Sequence, residues 1–276
     1  MNSNFGKYDV PQTLKKLIQF ENTLNDSEQF YHCFHFYLSN DGDRYFNTPS
    51  DVAVFGRIGV DGIHYGFLTD FGSAADLETA PIVCVSPMDF DAPTRIVARN
   101  IKEFLGINLT DSSLFCNQFG SEEKYLAAKA HWAEEAENSP YQPSEQDNLI
   151  REKAEKFLWE DIQVPQIENP YQYVETAARE RQKIISIQTQ DGLGVTAPLL
   201  QGEEYFPFPI LSHQVPDKEK VEEYLLTSPH ASQLALIRNI QLNLDLMEYP
   251  EIYDVVIETM NKIGLTDEVK RMSEAF

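Results

Sequence analysis

Aspartate and histidine crowd one stretch of this chain. Asp61 and His64 flank a single turn, with Asp43 upstream and Asp70, Asp89 and Asp91 downstream. Carboxylates and an imidazole at such spacing are the raw material of a metal centre or an acid–base pair. Local structure explains the same residues without chemistry. Asp61-Gly62 is the dipeptide that a type I′ hairpin turn wants. Asp91 suits a helix start, and a lone strand histidine is usually packed or exposed. A second cluster, His32-Cys33-Phe34-His35, reads as strand. There His32 opposes both Cys33 and His35 across the strand, so the three cannot converge on one zinc. Cys84 in PIVCVSP has no base placed beside it and reads as a core thiol. The glycines of FGRIGVDGIHYG miss the Lys-Ser/Thr of a phosphate loop and the spacing of a dinucleotide fingerprint. G-x-S-x-G, H-E-x-x-H and C-x-x-C are all absent. No cofactor, metal or catalytic residue is expected.

The elements that must position these residues follow from pattern. Val10 to Leu24 reads as a first helix, with Pro11 in its first turn. FYHCFHFYL, residues 30–38, reads as a strand ending at a turn. Residues 51–70 form two apolar runs about Asp61-Gly62, hence a hairpin, and Gly56, Gly59 and Gly66 suggest bulges or close approach. Pro81 to Ser86 is nearly all apolar, as in a strand covered on both faces. A helix capped near Asp91, with Pro93 in its first turn, then runs to Leu105 and stops at Gly106. Helical spacing follows over residues 123–137, a further helix covers residues 148–159, and a second hairpin surrounds Asp191-Gly192 within residues 183–200. Helices after Pro216, Pro229 and Pro250, and a short one near the end, complete the chain. Strands and helices do not alternate, which predicts α+β: a central, mostly antiparallel sheet flanked by helices, with a largely helical C-terminal extension. The expected division is a core over residues 1–110 and a mainly helical region over 111–276, either separate or packed on the same core.

Bulk properties narrow the function. The 276 residues carry 44 acidic and 22 basic side chains, a net charge of −22. Such a field repels a phosphate backbone and speeds the arrival of a basic partner, so a protein partner is expected and nucleic acid is not. Three scattered cysteines, Cys33, Cys84 and Cys116, in apolar surroundings suit reduced thiols and a cytoplasmic location. The N-terminus lacks a secretion signal pattern. No apolar run of about 18 residues exists, so no membrane helix is expected.

The run TPSDVAVFGRIGVDGIHYGFLTDFG, followed by PIVCVSPMDFDAPTRIVARNIKEFLGI, resembles bacterial proteins of the SUKH superfamily. The likeness covers about residues 10–110. It implies an N-terminal helix, a Gly-containing hairpin, further central strands and a helix ending in a Phe-Leu pair. It also implies a function, because SUKH-like proteins are similar to immunity proteins that bind and neutralise a cognate toxin. The charge suggests where such a partner would dock. Residues 40–91 hold 9 acidic and 2 basic side chains, a net of −7. Asp43, Asp61, Asp70, Asp89 and Asp91 are therefore the expected partner-binding residues.

Two rival expectations stand beside this one. The first is an enzyme or small-molecule binder with a pocket between the sheet and the C-terminal helices, gathering His64, Asp61 and His213. The second is an accessory subunit of a larger assembly, docked through the last helices.

Overall fold

The computed structural model describes residues 2–39, 43–89, 91–140, 142–211 and 214–273. Two helices open the chain, α1 (Asn2–Phe5) and α2 (Gln12–Glu21). Pro11 precedes α2, and Leu14, Leu17 and Phe20 form its buried stripe. Next comes α3 (Ser27–Phe34), which corrects the expected strand over residues 30–38. Asp26 caps it by accepting the Gln29 N–H, and the rings of Phe30 and Phe34, four residues apart, stack at 4.4 Å. Cap and one-sided spacing outweigh the strand preference of the aromatics. His35, at a left-handed φ of 55°, ends the helix. Only Tyr37–Leu38 remains extended, as β1.

The sheet continues with β2 (Val52–Arg57), β3 (His64–Leu68), β4 (Ile82–Val85) and β5 (Thr94–Ala98). All neighbours are antiparallel and lie in chain order. The β2–β3 turn has φ of 51° at Asp61 and 67° at Gly62, and the Ile63 N–H bonds the Val60 carbonyl at 3.1 Å. That is the type I′ geometry the dipeptide predicts. A bulge falls between Val54 and Gly56. Along β4 every residue is buried.

Strand β5 corrects the helix expected from Asp91 onward. Thr94, Ile96 and Val97 are β-branched and fit the pleat beside β4. The helix begins only after Asn100, which accepts the Glu103 N–H. This helix, α4 (Ile101–Asp111), also runs past Gly106. Glycine is there for space: a Cβ would lie 2.7 Å from the Pro165 carbonyl oxygen.

Helices α5 (Ser113–Cys116), α6 (Glu122–Glu137), α7 (Glu145–Phe157) and α8 (Pro170–Ile184) follow, with one π-turn over Leu158–Ile162. Ser121, Ser144 and Asn169 cap the last three. Because α8 extends to Ile184, the hairpin expected over residues 183–200 shrinks to a single antiparallel bridge, Ile187 to Val195. Helices α9 (Lys218–Thr227), α10 (His230–Asn243), α11 (Pro250–Lys262) and α12 (Thr266–Ser273) end the chain. The first three start at or just after the prolines that announce them. The fold is α+β.

Side chains alternate across the sheet with period two. Ala53, Phe55, Tyr65, Phe67, Ile82 and Cys84 face a core that draws on residues from Phe5 to Val174. Val52, Val54, Leu68, Val83 and Val85 face Ala177 of α8 and Leu193. A further core joins residues from Ile187 to Met272.

Candidate interaction surface

Strand register gathers distant aspartates. His64, Val85 and Thr94 lie side by side across three strands. The β2–β3 turn and the β4–β5 loop therefore leave the same end of the sheet. Asp61 is exposed on the turn, and Asp89 and Asp91 are exposed on the loop. Asp43 joins them, its carboxylate 3.3 Å from Arg57 Nε. Among the described residues no ion pair engages Asp61, Asp89 or Asp91. Three apolar side chains stand exposed in the same segments: Tyr45, Val60 and Met88. A cleft of about 280 Å³ lies between Asp43, Tyr45, Arg57 and the turn. Acidic groups around exposed apolar anchors are the chemistry of a docking face for a basic protein.

A buried histidine holds this face together. His64 Nδ1 lies 2.7 Å from the Gly62 carbonyl, which can only accept, so Nδ1 carries the proton. Nε2 then accepts from Thr48 Oγ1 at 3.1 Å, and Thr48 Oγ1 in turn accepts the Tyr45 N–H at 2.8 Å. The Tyr45 ring stacks over His64, 13° from parallel. Desolvation lowers the His64 pKa from 6.5 to about 4, which keeps the imidazole neutral at pH 7 and leaves Nε2 as the acceptor. Asn47 Nδ2 extends the clamp to the β4–β5 loop by donating to the Pro87 carbonyl at 3.0 Å. Arg44 anchors the same segment to the sheet through the Val52 and Pro49 carbonyls, at 2.5 and 2.9 Å. Sequence reasoning singled out His64 for chemistry and missed Tyr45, Thr48 and Met88. The local signal for Tyr45 is weak, because its neighbours are set by the turn 16 residues on.

Asp70, also among the expected partner-binding residues, lies apart from this face. It follows β3 at the opposite end of the sheet and forms a two-pronged ion pair with Arg181 of α8, at 2.6 and 2.8 Å. The Arg181 side chain is 3% exposed. Nearby, buried Arg238 of α10 bridges Asp51 and Asp191. Arg271 of α12 pairs with Glu268 at 2.7 Å and donates to the Ser50 and Asn4 carbonyls. Asp70 and Phe71 both have left-handed backbones, φ 48° and 53°. That strained turn is held by Arg181 on Asp70, by the Phe71 N–H on Asp51 Oδ2 at 3.3 Å, by the Ser73 hydroxyl on the Asp70 carbonyl at 2.8 Å and by Arg238 over the Phe71 ring. Burial pushes the Asp51 carboxyl pKa up, and Arg238 pulls it back down.

This network fills the space between the sheet and the last helices, where a pocket with His64, Asp61 and His213 was one expectation. Asp61 sits on the exposed turn, His64 is enclosed near the same turn, and His213 lies outside the described residues. His32 and His35 are exposed at the C-terminal end of α3 and Cys33 is half-buried, now on a helix and not a strand. Among the described residues no three His, Cys, Asp or Glu side chains converge as metal ligands. No described helix is long and apolar enough to cross a membrane. Comparison of the chain with protein-family models and with curated proteins gives no match to either.

Proposed function

We propose that this chain is a non-enzymatic protein-binding protein that docks a basic partner on the hairpin end of its sheet. The carrying observation is the convergence of Asp43, Asp61, Asp89 and Asp91 around exposed Tyr45, Val60 and Met88. Arg57 is the one exposed cation of these segments among the described residues, and Asp43 already pairs with it. The face is thus left with excess negative charge, which steers a basic surface and favours it over acidic competitors. The SUKH resemblance of residues 10–110 supports a finer role in the same direction: immunity, by masking a basic toxin domain in the cytoplasm.

Co-purification tests both levels. The tagged chain is expressed in its native host together with the product of the adjacent gene. A stoichiometric complex with that product, weakened by salt, is the expected result. Recovery of no specific partner under these conditions contradicts the binding function. A specific partner without toxicity, whose activity is unaffected, contradicts immunity alone.

A further inference from the structure

A second cleft, of about 370 Å³, opens between the C-terminal end of α3, β3, the α4–α5 junction and α6. That volume falls in the range of small-molecule sites. Tyr65 of β3 lines it. Its side chain is 1% exposed, with the ring packed edge-on against Phe36, Phe104 and Phe115. Cys116 and Tyr31, both on the cleft wall, are among the groups close enough to perturb its hydroxyl. Among the described residues nothing hydrogen-bonds that hydroxyl, and it is not one of the polar atoms sealed away from solvent without a partner: it opens onto the cleft.

Other polar groups on the wall, within reach of solvent, also lack a protein partner among the described residues. The His35 ring nitrogens, the Ser112 hydroxyl and the Asn117 side-chain oxygen have no hydrogen-bond partner among the described residues; the Asn117 amide nitrogen is held by the Ser113 carbonyl. The one carboxylate on the wall is Asp111. Its oxygens are already taken by the Ser113 N–H and Oγ, the Tyr125 hydroxyl and Lys129. Desolvation and the nearby Arg151 lower the His35 pKa, so the imidazole is neutral at pH 7. Tyr31 and Trp132 add aromatic walls. The cleft therefore offers hydrogen bonds and stacking surfaces without a free charge.

We infer that this cleft binds a small, planar, uncharged heteroaromatic molecule, which accepts a hydrogen bond from the Tyr65 hydroxyl and donates one to Asn117 Oδ1. Nicotinamide and cytosine serve as probes, since both are neutral at pH 7 and carry an acceptor and a donor edge. Benzene, which has neither, is the control. The readout is the indole N–H resonances of the two tryptophans, Trp132 on the cleft wall and Trp159 away from it. The expected result is a saturable shift of the Trp132 signal alone, with a millimolar or tighter Kd for at least one probe. Tyr65→Phe removes only an unpartnered hydroxyl. It should leave the unfolding midpoint unchanged or higher and weaken probe binding about tenfold. Three results each overturn the inference: no shift with either probe at about 10 mM, equal binding of benzene, or undiminished binding by Tyr65→Phe.

Discussion

The two ends of the sheet use the same side chain for opposite purposes. At the hairpin end, Asp61, Asp89 and Asp91 face water without an ion-pair partner among the described residues. Away from it, Asp51, Asp70 and Glu268 past the opposite end, and Asp191 across the sheet face, are enclosed and matched by Arg181, Arg238 and Arg271, four acidic groups against three basic ones. Acidity at one end is available to a partner, and at the other it has been consumed by the fold. The segment 43–51 joins the two. Its Thr48 clamps the hairpin through His64, and its end supplies Asp51 to Arg238. Gln241 of α10 grips the middle, donating to the Thr48 carbonyl at 2.7 Å and accepting from the Ser50 N–H at 2.9 Å.

The sharpest way to break this comparison is to remove one arginine. Arg238→Met leaves Asp51 and Asp191 buried without compensation, and urea unfolding should show a loss of about 3–5 kcal/mol. Asp89→Asn at the exposed end should change stability by less than about 0.5 kcal/mol. Similar losses for both would mean that the ends do not differ as described.

Acid should loosen the hairpin end through its clamp. Because the folded pKa of His64 is depressed from 6.5 to about 4, the unfolded chain takes up the proton first. The stability this neutral histidine contributes is complete above pH 6.5 and is lost as pH falls toward 4. The full loss is about 3 kcal/mol. His64→Gln should flatten the pH profile of unfolding across that window; an unchanged profile would remove the clamp from the account.

A smaller effect is expected at the turn. Gly62→Ala forces a Cβ onto a left-handed backbone and into the Tyr45 ring, whose nearest atom would lie 2.4 Å away. Thermal unfolding should report a cost of about 1–2 kcal/mol. The NMR signals of Tyr45 and of the turn should move, while those of the Arg238 network stay in place.

Much of this architecture was legible where neighbours in sequence are neighbours in space. Asp61-Gly62 specifies its own turn, residues 82–85 declare a strand covered on both faces, and three prolines announce three helices. Expectation failed where local preferences compete. Aromatics in residues 30–38 favour strand, yet Asp26 and the Phe30–Phe34 spacing make helix. Asp91-Ala92-Pro93 looks like a helix start, yet the β-branched residues after it pair with β4. The separation of Asp70 from the other four was not legible, because its partner, Arg181, is 111 residues away. The grouping of Asp61 with Asp89 and Asp91 depends on β3–β4 register, and composition alone cannot supply it.

The central claim is that the exposed aspartates, and not the buried ones, recruit a basic partner. The direct measurement is the association rate constant of the co-purified partner with the wild-type chain and with the triple variant Asp61→Asn, Asp89→Asn, Asp91→Asn, at low and high ionic strength. The account predicts association at least about tenfold slower for the variant at low salt, a flattened salt dependence and unchanged stability. Equal rates for the two proteins at both ionic strengths would contradict it.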